Sequence, residues 1–458
     1  MKRRGVLAMI LAASLVFTLG ACSQSGSTGT PKETAEVKTE APTTKEEAPT
    51  TKAQGGESQT AEPVTIELWH TLEEMYRDDF NKLVDEFEKE NPNITVNVSY
   101  QGRVAEILEK ILAANIAGDG LPDVFPIHSS EIQTLAENEV IDNLDPYIAS
   151  NGTDLSKISM IDVYAHNGSQ YGLTWTITGM CWFYNQTIAD QEGIELPKTW
   201  DEMDAFLHKA AIINADGTTE RYGMWIGGWD SYYFTWMLWN NGVLVIDEDG
   251  NTTINSEKAQ QTVAQIKQWI DEGLMMWGYG SNGSTNMRQA FWDGKVFAIV
   301  HTSSQYMNHY DNMKQKGYEL GAYFPPAGPD KDTTEVFGMC LSIPAKSDPA
   351  KKEAAYKLIE YLTSNDVNLK MAEFTGFLAN GTDVMQTEEG KKYLEENPAM
   401  KNVYKRIGDM TVAIQLPCYP EVTDVLEDGL ALIFLENHDV KAQLDEMAQQ
   451  ITDLYANQ

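Results

Sequence analysis

Between Val64 and Ile127 the hydrophobic period of the chain switches four times, and no other feature constrains the fold as tightly. Val64 to Trp69 alternates apolar and polar side chains as a half-buried strand does, whereas the stretch Glu73 to Lys89 sets Phe80, Leu83, Val84 and Phe87 at helical spacing. Ile94 to Tyr100 alternates again, and Asn91-Pro92-Asn93 stops the helix before it. Val104, Ile107, Leu108, Ile111 and Leu112 then mark a second helix ending near Gly118, and Leu121 to Ile127 reads as a third, short strand. Strands alternating with helices predict α/β layers around a mostly parallel sheet.

Further along, the period weakens from Asp142 to Ser169. Tyr171 to Thr178 then runs into Cys181-Trp182-Phe183-Tyr184 as an extended segment, expected to be a first crossover between lobes. A helix is predicted from Trp200 to Ile213 with Thr199 as its N-cap, and a hairpin from Leu244 to Ile254 turning at Asp249-Gly250. The acidic stretch 247–251 lacks the alternating carboxylates and distal glutamate of a calcium loop. From Val64 onward the chain has about 395 residues, more than one hydrophobic core organises, so two lobes are expected.

The N-terminus has a different character. Lys2, Arg3 and Arg4 precede an apolar stretch from Val6 to Leu19, and Leu19-Gly20-Ala21-Cys22 follows at once. Small residues before a cysteine, after an apolar run too short for a span, predict a lipoprotein signal at 1–21 with Cys22 lipidated. Residues 22–63 hold mostly Ser, Thr, Gly, Pro, Ala, Glu, Gln and Lys, with a near-repeat at 40–45 and 47–52, and are expected to be a disordered linker. On this reading the protein is expected on the extracytoplasmic face of the cell membrane, lipid-anchored.

The chain carries 34 basic and 68 acidic residues; loss of Lys2, Arg3 and Arg4 with the signal leaves 31 against 68, a formal charge of −37. Such a surface repels nucleic acid and anionic lipid, so no nucleic-acid partner is expected and the lipid on Cys22, not a basic patch, is the expected membrane tether. Cys181, Cys340 and Cys418 have no close spacing; three separate buried thiols is the preferred reading, although one pair has the compartment to form a disulfide.

Several segments, in this order, resemble the extracellular solute-binding proteins of carbohydrate ABC importers, of the maltodextrin-binding type. They are 66–70 (Ile-Glu-Leu-Trp-His), Ala113 to Gly118 with Leu121-Pro122-Asp123-Val124, Leu135 to Asp145, Tyr171 to Asn185, Lys198 to Glu202, Ala290 to Lys295 and Ala354 to Leu362. Two departures are Thr174, where the family has proline before the hinge tryptophan, and Glu335-Val336-Phe337-Gly338-Met339, where it has a glycine pair. The resemblance implies an α/β, two-lobed periplasmic-binding-protein-like fold (type II) with hinge strands between lobes. The lobes are expected at 64–175 plus about 288–345 and at about 176–287 plus 346–458. It further implies a sugar or oligosaccharide captured between the lobes and delivered to ABC importer permease subunits by a monomer, with no cofactor, metal or catalytic residue.

A sugar presents apolar C–H faces and a rim of hydroxyls, so its site needs aromatic platforms and fixed hydrogen-bonding groups. Open α/β sheets bind ligands at the carboxyl ends of strands. The candidates there are Trp69, His70 and Glu73 after the first strand, His128, Ser129 and Ser130 after the third, and Trp175 at the crossover. Trp229 and Asp230 in a Gly-Gly-Trp-Asp loop, His301 and Ser303 after the strand Val296 to Val300, and Phe337 complete the set. Trp200, Trp236, Trp239 and Trp269 are assigned to packing by their helical or apolar surroundings. His70, His128 and His301 lack metal-ligand spacing. Two alternatives stay open: a secreted glycoside hydrolase, needing only two suitably placed carboxylates, and a surface sugar receptor not coupled to transport.

Overall fold

The computed structural model describes residues 62–280, 282–412 and 414–457. The expected signal, Cys22 and nearly all of the expected linker lie outside the described residues. β1 (Val64–His70), α1 (Glu74–Glu90), β2 (Ile94–Tyr100), α2 (Val104–Ala117) and β3 (Phe125–His128) follow the alternation seen in the sequence. α1 buries Tyr76, Phe80, Leu83, Val84 and Phe87, one stripe of an amphipathic helix. Full burial of Phe80 or Phe87 contributes about 2 kcal/mol each. The helix ends where the Asn91 amide and side chain both donate to the Phe87 carbonyl, at 2.9 and 3.0 Å. α2 ends at Gly118, whose φ of 74° is cheap only for glycine.

α3 (Ile132–Glu137), α4 (Asp145–Asn151), β4 (Ala165–His166) and β5 (Ser169–Gln170) lead to β6 (Leu173–Asn185), a strand of 13 residues buried along its whole length. α5 (Gln186–Glu192), α6 (Met203–Ala210), β7 (Ile212–Ile213), β8 (Thr219–Gly227), α7 (Thr235–Asn240), α8 (Glu257–Asp271), β9 (Met275–Gly278) and α9 (Gly283–Trp292) come next. β10 (Val296–Thr302), α10 (Tyr306–Gln315), β11 (Leu320–Tyr323) and β12 (Glu335–Ser342) follow. α11 (Pro349–Leu362), α12 (Asn365–Phe374), α13 (Glu388–Glu396), α14 (Pro398–Tyr404), β13 (Thr411–Val412), α15 (Tyr419–Glu436) and α16 (Val440–Ala456) close the chain.

β1 and β2 pair in parallel, as do β8 with β9 and with β10. The first half of β6 pairs antiparallel with β12, and its second half with β10 and β11. This arrangement carries the chain between two cores. Leu173 and Trp175 pack with Phe80, Tyr356 and Ile359, whereas residues of β6 from Ile177 onward pack with Trp236, Phe297 and Trp269. β12 makes the same passage in reverse, with Val336 in the second core and Leu341 in the first. Two antiparallel strands thus join two lobes.

The cores group the flanking segments differently from the sequence expectation. Phe291 and Val296 to Val300 belong to the second core, although 288–345 was expected in the first lobe. Ala354 to Leu362 on α11 pack under β1 in the first core, although 346–458 was expected wholly in the second lobe. The chain crosses at β6, at β12 and again along α12, where Val367 and Met371 lie in the first core and Leu369 and Ala372 in the second. Pairing across β8, β10 and β6 holds the 288–302 segment on the second side.

Three local expectations change as well. The helix expected to Ile213 stops at Ala210, where Arg221 Nε donates to the Ala210 carbonyl at 2.8 Å and Ile212–Ile213 pairs with β8. Thr199 gives no side-chain cap; Glu202 Oε2 instead accepts from the Lys198 amide at 2.6 Å. The expected hairpin at 244–254 has no strand ladder: Asp247 Oδ1 accepts from the Asp249 and Asn251 amides at 3.0 and 2.8 Å to form the turn, and the Leu244 amide donates to Thr253 Oγ1 at 2.8 Å where a ladder would use a backbone carbonyl. Trp200 and Trp269 pack ring against ring at 5.2 Å, Trp236 and Trp239 are buried, and Cys181, Cys340 and Cys418 are buried free thiols.

Candidate functional site

A cleft of about 790 Å³ opens between the two lobes. Its first wall comes from the residues after β1 and β2, with Glu73, Arg77, Tyr100 and Arg103; its second comes from the ends of β8, β9 and β10, with Trp229, Asp230, Arg288, His301 and Gln305. The parallel pairing of these strands puts their carboxyl ends on one edge of each lobe, so side chains distant in sequence meet there.

Trp229 is half-buried and rests on glycines. A Cβ at Gly227, Gly278 or Gly283 would lie 2.7, 2.5 or 2.4 Å from the indole ring, so the ring occupies space that side chains would fill. Tyr233 packs against it at 5.2 Å. Across the cleft, Tyr100 is 42 % exposed and carries the Arg77 guanidinium 3.6 Å above its ring. Trp229 and Tyr100 thus give the cleft two aromatic surfaces for apolar faces of a ligand.

His301 lines the cleft at only 4 % exposure, and neither ring nitrogen has a hydrogen-bond partner among the described residues. Burial pushes its pKa down to about 3, so the ring is neutral, with one donor and one acceptor nitrogen. A hydroxyl, which both donates and accepts, matches that pair. Glu73 Oε1 accepts from Gln305 Nε2 at 2.8 Å, and Arg288 Nη1 lies 3.9 Å from Glu73 Oε2. Tyr76 Oη donates to the Ser304 carbonyl at 3.1 Å. These bonds run from α1 in the first lobe to the segment after β10 in the second.

A second group adjoins the cleft through Asp230. His128, Tyr232 and Phe337 stack, with Tyr232 and Phe337 ring centroids 4.3 Å apart and His128 at 6.5 and 6.0 Å from them. Around this stack lie Glu131, Asp230, Glu335 and Glu427. Burial raises Glu131 and Asp230 to about 7, and burial plus the Asp230 charge raises Glu335 and Glu427 to about 8. Glu335 Oε2 accepts from Thr235 Oγ1 at 2.7 Å, while its Oε1 has no partner among the described residues.

Of the residues expected from the sequence, Glu73, Trp229, Asp230 and His301 line the cleft, and His128 and Phe337 stand in the adjoining stack. Ser130 Oγ sits 3.3 Å from His128 Nδ1, and Ser129 is buried. Four others are structural. Trp175 is 1 % exposed and packs at 5.6 Å from Phe80, because β6 is covered on both faces. Trp69 packs toward the core formed by α2 and β3. His70 is 2 % exposed, accepts from the Leu72 amide at 3.2 Å and lies 5.9 Å from Tyr100, supporting that ring from beneath the lining. Ser303 is buried and bonds Thr178 Oγ1 and the Gly179 amide, each at 3.2 Å, fastening the segment after β10 to β6.

The sequence reading passed over Arg77, Tyr100, Arg103, Tyr233, Arg288 and Gln305, all in the lining. Tyr100 ends β2, so the carboxyl-end rule applied to β1 and β3 points to it equally. Among the described residues, no three His, Cys, Asp or Glu side chains form a group able to hold a metal, and no helix is long and apolar enough to cross a membrane.

The model of the bacterial extracellular solute-binding protein family matches residues 82–402, well over half the chain. A Brucella abortus protein, named as an inferred binding protein, is 24 % identical over 374 residues, which cover 81 % of this chain and 88 % of that one. The arabinooligosaccharide-binding protein of Bacillus subtilis is 21 % identical over 404 residues, 86 % of this chain and 84 % of its own. Among solved structures, the GacH receptor of Streptomyces glaucescens, studied unliganded and with acarbose, superposes with a TM-score of 0.75 at 21 % identity, covering 85 % of this chain and 98 % of that one. The two-lobed fold is shared with that structure. By its sequence match and its fold, the chain belongs to the bacterial extracellular solute-binding protein family.

Proposed function

We propose that this protein is the extracytoplasmic binding component of an ABC importer, that it captures a mono- or oligosaccharide in the interlobe cleft, and that it releases the sugar unchanged to the permease. The observation that carries this reading is the cleft itself: two aromatic surfaces, Trp229 and Tyr100, on opposite lobes, with the imidazole of His301, unpartnered among the described residues, in the lining. The aromatic rings suit the C–H faces of a pyranose or furanose, and His301, Asp230 and Gln305 suit its hydroxyls. Ligand touching both walls favours closure of the lobes about β6 and β12. The arabinooligosaccharide named for one relative and the acarbose bound by another support a saccharide cargo.

A melting assay over a saccharide panel tests the reading. Ligand that binds only the folded state adds about 2.7 kcal/mol at a hundredfold excess over Kd, a readily measured rise in Tm. A rise with amino acids or peptides and none with any saccharide overturns it, and release of hydrolysed sugar during the assay replaces capture by hydrolysis. The lipid tether rests on Leu19-Gly20-Ala21-Cys22; Cys22→Ala should move the protein from the membrane fraction to the soluble one, and retention in the membrane removes the anchor from the proposal.

A further inference from the structure

The sequence has seven arginines, of which Arg3 and Arg4 fall in the expected signal. Three of the remaining five, Arg77, Arg103 and Arg288, line one cleft of a chain whose formal net charge is −34. The other two are bound up in structure: Arg221 forms a two-pronged pair with Glu192 at 2.7 and 2.6 Å, and Arg406 pairs with Asp332 at 2.9 Å and with Asp409. In the cleft the pattern reverses. Arg288 has Glu73 near it at 3.9 Å, but neither Arg77 nor Arg103 has a carboxylate at ion-pairing distance among the described residues. Arg77 is held by its Nε, which donates to the Leu72 carbonyl at 3.1 Å, and by the Tyr100 ring beneath it, so its two terminal nitrogens remain available.

The acids of the lining do not neutralise this corner. Glu73 is engaged by Gln305, and Asp230 Oδ1 accepts from the Tyr232 amide at 3.2 Å on the opposite wall. Glu74 opens α1 and is exposed. A guanidinium offers paired donors matched to a planar or tetrahedral oxyanion, and two of them here have no ion-pairing carboxylate among the described residues.

We propose that the saccharide taken by this cleft carries an anionic group, a carboxylate, sulfate ester or phosphate, held by Arg77 and Arg103 while a sugar ring lies against Trp229. The inference rests on the saccharide reading and sharpens its substrate class. Salt weakens the anion contact by screening and leaves the aromatic contact largely intact.

Titration calorimetry on the mature chain tests it with matched pairs: galacturonate oligosaccharides against the corresponding galactose oligosaccharides, glucose 6-phosphate against glucose, and N-acetylglucosamine 6-sulfate against N-acetylglucosamine. The expected result is at least tenfold tighter binding of one anionic member than of its neutral partner, weakening with added salt; which pair responds identifies the anion. Arg103→Gln, at an exposed side chain whose loss the fold tolerates, and Arg77→Gln should each reduce that preference at least fivefold, with melting temperature unchanged for Arg103→Gln. Binding of neutral members as tightly as anionic ones, or a preference that survives both substitutions, overturns the inference and leaves saccharide capture standing. Binding by none of the six overturns the inference, and the saccharide reading then stands or falls by the melting panel.

Discussion

Gln305 Nε2 donates to Glu73 Oε1 at 2.8 Å, a bond between residues 232 positions apart that ties the start of α1 in the first lobe to the end of β10 in the second. Ser303, two residues earlier, is fastened to β6 through Thr178 and Gly179, so the bond sits beside the crossing strand. Tyr76 and Ser304 add a second bond at 3.1 Å. The lobe arrangement that forms the cleft is therefore the one these bonds favour.

Replacing Gln305 by Ala removes the bond and leaves Glu73 solvated, at a cost of about 1 kcal/mol to this lobe arrangement. Ligand affinity is expected to fall roughly threefold to tenfold, and the melting temperature of the free protein falls as well, because buried Gln305 also accepts from Asn308 Nδ2 at 2.9 Å. Titration calorimetry checks it; an unchanged Kd would show that the bond does not bias the lobes.

The glycines under Trp229 make a sharper prediction. Gly283→Ala puts a Cβ 2.4 Å from the indole ring, so the ring must move. Helix α9 itself gains from alanine, so folding is spared. Affinity should drop about tenfold or more, roughly 1.4 kcal/mol, and Trp229→Phe in the same background should recover part of it. Full affinity in Gly283→Ala would mean that the ring position is immaterial.

Trp175 and Trp229 should behave oppositely. Trp175→Ala empties a site in the first core and should cost about 3–5 kcal/mol of stability while altering Kd less than about twofold in the protein that remains folded. Trp229→Ala should abolish binding with a small stability change. Denaturant unfolding and calorimetry separate the two, and loss of binding without loss of stability in Trp175→Ala would return that residue to the cleft.

Stability should form a plateau in mildly acid solution. Glu131 and Asp230 near about 7, and Glu335 and Glu427 near about 8, keep protons that the unfolded chain releases above about 4, so their contribution declines as pH rises from about 4 to 8. Buried His70 and His128 at about 4 and His301 at about 3 act the other way: the unfolded chain binds protons below about 6.5 that the fold refuses, and stability falls as pH drops toward 3. Between about 4.5 and 6.5 the two trends oppose. Glu335→Gln keeps an acceptor for Thr235 and should flatten the alkaline decline of Tm; an unchanged slope would show that Glu335 is ionised in the folded state.

The alternation from Val64 to Ile127 was legible because it is local: period two and period 3.6 are properties of a few neighbouring residues, and they specify β1, α1, β2, α2 and β3 without reference to the rest of the chain. Trp236 and Trp269 could be assigned to packing on the same ground. Glu73, Trp229, Asp230 and His301 were reachable because strand ends in a parallel sheet share an edge.

The rest depended on closure of the chain. Trp175 stands near a crossing like Trp229 near a strand end, but β6 is covered on both faces, so position along the strand says nothing about exposure. Arg77 meets Tyr100 because β1 and β2 pair with His70 opposite Tyr100, and Glu131, Asp230, Glu335 and Glu427 come from four distant segments. Sequence alone determined the β1 to β3 elements, the acidic balance and the family resemblance; tertiary structure decided which aromatic rings face the cleft and which charges lack a partner, because burial and ion pairing are set by residues far apart in the chain.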